Sequence, residues 1–343
     1  MDIRRRFPLV VLGLAVAAGI AFFLSIALGS VSLPLGEILS VFLHRITGLG
    51  QAPSGRVEAI AWFIRLPRSL AALFAGFALA LSGAAVQGVF RNPMASPDIL
   101  GISAGSSFGA VLSISLGAAL MHPTVLPASA FAGAMTAAIF VYLIGSDRGR
   151  SHLLFVILAG LAVSSLLNGL VSALLLFSDR YEMSIFLFWT MGGLEGTQFD
   201  VLLIPVPVIA VASLLLLRMG RPLNLLALGD EQAHSLGLPV ERTKLTVLGL
   251  AALLTSMAIA LAGPVGFVGL MIPHLLRVSI GSNHLRLLPA SALAGSAFLL
   301  LSDTLGRIIA RPYEIKTGII TALIGGPYFI FLIIRYQRKG RLI

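Results

Sequence analysis

Apolar runs near 20 residues long recur from one end of the chain to the other, at about 8–29, 64–90, 99–119, 124–146, 152–176, 199–217, 244–263, 271–282, 286–305 and 316–334. A helix needs about 20 such residues to cross a hydrocarbon core of about 30 Å. The pattern therefore predicts an all-α polytopic membrane protein of about ten transmembrane helices, one transmembrane domain over 1–343. The eighth run is short, and before it Pro-Val-Gly-Phe-Val-Gly-Leu at 264–270 is too glycine-rich for a comfortable helix. It reads as broken backbone buried in protein or lining a cavity. Longer connections fall at 31–63, 178–198 and 218–243. In the last, leucines and alanines at helical spacing with charge between them predict one or two short surface helices on which a partner can seat.

A diffuse repeat appears at an offset of 180 residues: Ala80-Leu81-Ser82-Gly83 matches Ala260-Leu261-Ala262-Gly263, Pro93 matches Pro273, and Gly101 matches Gly281. An odd number of spans in each half would set the two copies in opposite senses, an inverted repeat. In apolar sequence such matches also arise by chance.

Composition changes the solvent. The 343 residues are 57% hydrophobic and 11% charged, against roughly 25% charged in a soluble domain, so lipid must cover most of the surface. The net charge of +10 resolves into topology rather than nucleic-acid binding. With the N-terminus inside, 16 of the 24 basic residues fall at inner ends: Arg4, Arg5, Arg6, Arg91, Arg148, Arg150, Arg218, Arg221, Arg242, Lys244, Arg277, Arg286, Arg335, Arg338, Lys339 and Arg341. Only six of the 14 acids join them, so the inner side carries the whole excess and both termini are expected to be cytoplasmic. The apolar run after Arg4-Arg5-Arg6 reads as an uncleaved first span, since Ala27-Leu28-Gly29 is a poor cleavage motif.

Chemistry is mostly excluded. Without cysteine there is no disulfide, thiol nucleophile or thiolate metal site. Gly105-Ser106-Ser107 lacks the Gly-Lys pair of a phosphate-binding loop, and the six histidines show no metal-binding spacing, so no catalytic residue, metal or cofactor is expected. An ion-coupled transporter needs ionisable groups at mid-membrane depth, whereas Asp98, Arg277 and Asp303 lie near span ends. The turn Asn92-Pro93-Met94-Ala95-Ser96-Pro97-Asp98 reads as a rigid connection with Asp98 or Ser96 capping the next helix, or as part of a substrate site. Glycines 101, 105, 109 and 117 with Ser103, Ser106, Ser107 and Ser113 give the third span a small face for packing or for a polar channel. Arg65-Leu66-Pro67-Arg68 and Arg307 at the outer side read either as interfacial arginines salt-bridged to Asp303 or Glu314, or as a docking ring.

These motifs together resemble, over nearly the full length, the permease subunits of the iron-siderophore, haem and vitamin B12 importer family of ABC transporters. The matching stretches are Arg65-Leu66-Pro67-Arg68; Leu81-Ser82-Gly83 through Gln87-Gly88 to Arg91-Asn92-Pro93 and Leu100-Gly101; Leu158-Ala159-Gly160; Phe188-Trp189; Leu226 through Gly229-Asp230-Glu231 to Ser235-Leu236-Gly237; Gly266-Phe267-Val268-Gly269-Leu270 to Pro273-His274 and Arg277; Asp303 with Arg307; and Glu314 through Gly318 to Gly325-Gly326-Pro327.

The resemblance implies a homodimer or close heterodimer of ten-span subunits in the bacterial cytoplasmic membrane. Two ATPase subunits sit below, a periplasmic or lipid-anchored binding protein sits above, and the path lies at the dimer interface. It implies that Leu226, Gly229, Asp230, Glu231, Ala233, Leu236 and Gly237 couple to the ATPase, and that Arg65, Arg68 and Arg307 dock the binding protein. Path or gating residues are expected among Gly83, Gln87, Asn92, Pro93, Gly101, Ser103, Ser106, Gly263, Gly266, Gly269 and Pro273. The cargo expected is a ferric siderophore or related iron chelate, with haem or cobalamin as alternatives. One departure is Glu314-Ile315-Lys316-Thr317-Gly318, where many members have Glu-Leu-Pro-Val-Gly.

Overall fold

A computed structural model describes residues 3–49, 54–147, 150–151 and 153–338. Arg148, Lys339 and Arg341, counted above among the inner charges, lie outside the described residues.

Ten helices correspond to the ten apolar runs: α1 (Ile3–Ala27), α2 (Gly55–Phe90), α3 (Ile102–Ser115), α4 (Val125–Gly145), α5 (Leu153–Phe177), α6 (Phe199–Arg218), α7 (Val240–Ala262), α8 (Val268–Ile280), α9 (His284–Ile309) and α10 (Thr317–Arg338). Eight are long enough to span, and α3 and α8 are the short apolar pair. Two-residue strands Ser146–Asp147 and Arg150–Ser151 form the one ladder among the described residues.

The long connections carry helices of their own. Leu35–Thr47 occupies the first, and α2 begins at Gly55, earlier than its hydrophobic pattern shows, through a π-helical stretch Ala59–Arg65. Arg180–Thr190 occupies the second, its N-terminus capped by Asp179, whose carboxylate accepts the Glu182 N–H at 2.8 Å. The third holds Gly220–Leu226 and Asp230–Ser235.

Burial separates centre from perimeter: 78% of the apolar window of α2 is buried within the chain, against 22% for α1. Small residues make the centre possible. A Cβ at Gly76 would overlap the Gly295 carbonyl, so α2 and α9 meet backbone to backbone.

The packing also reveals the repeat. Helix α2 packs on α7, α8 and α9, and α7 packs on α2, α3 and α4; α3 contacts α4 and α5 as α8 contacts α9 and α10. Exchanging each of α2–α5 with the helix five places later reproduces these contacts, and an offset of five spans sets the two halves in opposite senses. The halves differ where it matters for the site: α2 continues for seven residues beyond Gly83, whereas α7 ends at its counterpart, Gly263.

Candidate functional site

At the end expected to face outward, the three arginines point into the protein. Arg68 donates from Nε and Nη2 to Asp303 Oδ1 at 3.0 and 2.8 Å and from Nη1 to Glu314 Oε2 at 2.7 Å. Arg307 pairs with Asp303 Oδ2 at 3.1 Å, and its Nη atoms donate to the carbonyls of Ser25 and Leu28 at 2.9 and 3.1 Å. Arg65 donates to the carbonyls of Ile26 and Ala27 at 2.8 and 2.9 Å and to that of Val31. The last carbonyls of a helix lack intrahelical partners and carry the negative end of its dipole. Arg65 and Arg307 therefore cap the C-terminus of α1.

Arg65, Arg68 and Arg307 are 4%, 6% and 2% exposed, so in this conformation the guanidiniums expected to form a docking ring are paired inside the bundle. Of the two alternatives open from the sequence, salt bridging to Asp303 and Glu314 is the one observed. Basic side chains that are exposed at this end include Arg45, Arg56, Arg180 and Arg311. Lys316 pairs with Glu195 at 2.8 Å and lies over the Phe188 ring, so the departure at this position ties two outer loops together.

Deeper in, the break predicted at 264–270 is shorter than expected. Gly263 turns at φ +63°, Phe267 adopts φ +68°, and the helix resumes at Val268. The left-handed region is rare for a bulky residue; here the Phe267 ring packs where a Cβ on Gly325 would otherwise be. Pro273 inside α8 has no N–H, so the Gly269 carbonyl loses its i+4 donor. Gln87 fills the gap: its Nε2 reaches the carbonyls of Gly269 at 3.4 Å and Leu270 at 3.2 Å, and its Oε1 accepts from Arg277 Nη2 at 2.9 Å. The approach depends on Gly83, where a Cβ would overlap the Gly269 carbonyl.

A cavity of about 330 Å³ lies between these breaks, its wall largely apolar with Leu79, Ile259 and Leu270 but carrying Ser96, Asp98 and Ser103 from the approach to α3, Thr255 from α7, and Gly266, Phe267 and Gly269. The short helices α3 and α8 both begin at it. Of the expected path residues, Ser103, Gly266 and Gly269 line the cavity. Gly83, Gly101, Gly263 and Pro273 are buried in packing, and buried Ser106 donates to the Ser103 carbonyl on its own helix at 2.8 Å, so these five do not line the cavity in this conformation. Asn92 is exposed at the inner turn, its Oδ1 accepting the Met94 N–H at 2.8 Å, with half-buried Pro93 beside it. The expected helix cap is corrected. Gly101 at φ +72° starts α3 without a side-chain cap, and Asp98 takes the Ser103 hydroxyl instead. Thr255 and Phe267 were missed from sequence, being single residues in apolar or glycine-rich runs.

On the side expected to face the cytoplasm, the two short helices divide their residues by face. Leu223, Leu226, Gly229 and Ala233 pack inward, while Glu231, His234, Leu236 and Gly237 are exposed. Asp230 is the anchor. It pairs with Lys244 at 2.5 Å and Arg91 at 3.6 Å, joining the second short helix to α7 and to the end of α2. Asn224 fixes the first helix to α9, accepting the His284 N–H at 2.8 Å and donating to Asn283 at 3.0 Å. Thus Glu231, Leu236 and Gly237 form the outward part of the expected coupling surface, and Leu226, Gly229, Asp230 and Ala233 its mount.

A model of the FecCD transport family matches residues 17–335. The chain is 44% identical over 80% of its length to the cobalamin import system permease protein BtuC of Halobacterium salinarum, covering 73% of that protein. It is 41% identical over 81% of its length to the hemin transport system permease protein HmuU of Yersinia pestis, covering 84% of it. A further relative, the molybdate import system permease protein MolB of Haemophilus influenzae, is 35% identical over 97% of this chain and 98% of its own. A solved inward-facing conformation of a metal-chelate type ABC transporter superposes with a TM-score of 0.84 at 33% identity, covering 96% of this chain and 99% of that one. By family model, relatives and fold alike, this chain belongs to the FecCD transport family, as the permease subunit of an ABC importer.

Proposed function

We propose that two copies of this chain, or one copy and a close relative, enclose a path for a ferric siderophore or similar iron chelate, and that separate ATPases drive its opening from below. The observation that carries the path is on α5. Its outward face presents Ser165, Asn168, Gly169 and Ser172, spaced by three and four residues, all exposed and well inside the span. An amide facing hydrocarbon is costly, so this stripe belongs against a second subunit or a hydrated path rather than lipid. The exposed side of the two inner helices, Glu231, Leu236 and Gly237, is the seat for the ATPase. A periplasmic or lipid-anchored binding protein delivers the cargo at the opposite end.

Relatives named for cobalamin, hemin, Fe(3+) dicitrate and molybdate share this scaffold. The fold is indifferent to cargo, and a metal chelate is the class that most of those names and the solved neighbour have in common. One experiment tests both parts. The natural absence of cysteine leaves a clean background for Asn168→Cys. In proteoliposomes holding the permease, its ATPases and its binding protein, uptake of a ferric siderophore, haem and cobalamin is compared before and after a bulky maleimide is applied. Uptake of the ferric chelate that the maleimide blocks is expected; uptake untouched by modification at 168 would move the path elsewhere, and transport of cobalamin or haem alone would change the cargo.

A further inference from the structure

We propose that the cavity between α3 and α8 is a subsite for a primary alkylammonium group whose charge Asp98 holds, and that it receives the amine-bearing arm of a cationic iron chelate. The second part rests on the path proposed above; the first does not. Depth singles out the acid. Leu79, eleven residues before the end of α2 at Phe90, and Thr255, fifteen after the start of α7 at Val240, both line the cavity. A rise of 1.5 Å per residue puts it roughly 16–22 Å from the ends expected to be cytoplasmic, near the middle of a hydrocarbon core of about 30 Å. Asp98 therefore lies deeper than its place between two spans suggests. A carboxylate at that depth is costly, and it belongs in a hydrated cavity or against an opposite charge. Asp98 has no such partner within the chain: its one hydrogen bond among the described residues comes from the Ser103 hydroxyl, and it forms no ion pair there.

The wall specifies the cation. Ser103 gives its proton to Asp98, and Thr255 donates to Ser82 Oγ at 2.9 Å, so both hydroxyl oxygens are left to accept. A carboxylate and two accepting oxygens match the three donors of a primary ammonium, which accepts nothing. Around them Leu79, Ile259, Phe267 and Leu270 are apolar. A short alkyl chain covers such a surface, whereas an inorganic cation needs oxygen on every side. The cavity is open rather than sealed, since Asp98 and Gly266 are exposed. It also adjoins α5: a Cβ on Gly160 would overlap the Ile99 carbonyl, and one on Gly101 would lie 3.5 Å from Ser164 Oγ. Ser164 is next to Ser165 of the exposed polar stripe, so the subsite lies beside the proposed path.

The test uses the purified full chain in detergent micelles, with binding of pentylammonium chloride and of pentanol followed by saturation-transfer NMR. The wild type is expected to bind pentylammonium about tenfold more tightly than pentanol, the difference that one hydrogen-bonded charge supplies, and sodium chloride at the same concentration should not displace it. Asp98→Asn should bring the two probes level. Gly266→Leu should weaken both, because a Cβ there meets nothing within 4 Å and the larger side chain fills the mouth of the cavity; an unchanged melting temperature verifies that the fold is kept. A ferric trihydroxamate with a free ammonium arm should displace the probe, and its N-acetylated form should not. Equal binding of the two probes by the wild type, displacement by sodium, or an unchanged preference in Asp98→Asn would overturn the site. Displacement by both chelates or by neither would overturn the cargo role alone. No ATPase or binding protein is present, so failure here is distinct from uptake that ignores modification at 168.

Discussion

Asp303 is 1% exposed and accepts from Arg68 and Thr317 while pairing with Arg307, so one carboxylate holds α2, α9 and α10 together at their outer ends. Asparagine at this position keeps the shape and removes the charge. Taking one partner from a buried ion pair costs about 3–5 kcal/mol, because the remaining charges stay desolvated. Asp303→Asn is therefore expected to lower the melting temperature and membrane yield of the permease sharply, and reversal of Arg65 and Arg68 to glutamate to do the same. Wild-type melting of Asp303→Asn would show that these charges are not structural. The pairing with Arg307 was legible in sequence from the i, i+4 spacing. Burial of Arg65 was not, since its acceptors are backbone carbonyls at the end of α1 and leave no mark on side-chain pattern.

Between elements, the join of α2 to α8 rests on a repair: Pro273 removes a donor and Gln87 supplies one from another helix. The two residues should then be coupled. Gln87→Ala leaves the Gly269 carbonyl unpaired at a cost of about 1–3 kcal/mol, but in a Pro273→Ala background the restored N–H serves that carbonyl. Loss of the Arg277 acceptor is common to both backgrounds and cancels. The double-mutant cycle, measured by unfolding in detergent, is expected to show an interaction of at least about 0.5 kcal/mol; strict additivity would refute the repair. Spans were readable because each must be apolar for about 20 residues, and 264–270 was readable as broken because of its glycines. That the helix resumes at Val268 was hidden, since it depends on Phe267 taking a left-handed backbone against Gly325. The helix Leu35–Thr47 was overlooked for a different reason: Leu35, Ile38, Leu39, Phe42, Leu43 and Ile46 recur at helical spacing, but 13 residues are too few to span, and a reading keyed to spans passes over them.

For the whole molecule, the charge asymmetry and the packing symmetry make one joint statement about orientation. The excess of basic residues at alternate ends predicts that the connection between α8 and α9 lies inside, and the five helices between them then put its counterpart between α3 and α4 outside. A parallel repeat would put both on one side. Single cysteines at His122 and Ser282, both exposed in these two turns, separate the cases in a chain with no native cysteine. In intact cells made permeable only at the outer envelope, a membrane-impermeant maleimide should label His122→Cys at once and Ser282→Cys only after the inner membrane is opened. Labelling of both from outside would show that the five helices between them do not all cross, and labelling of Ser282→Cys alone would reverse the topology read from the arginines.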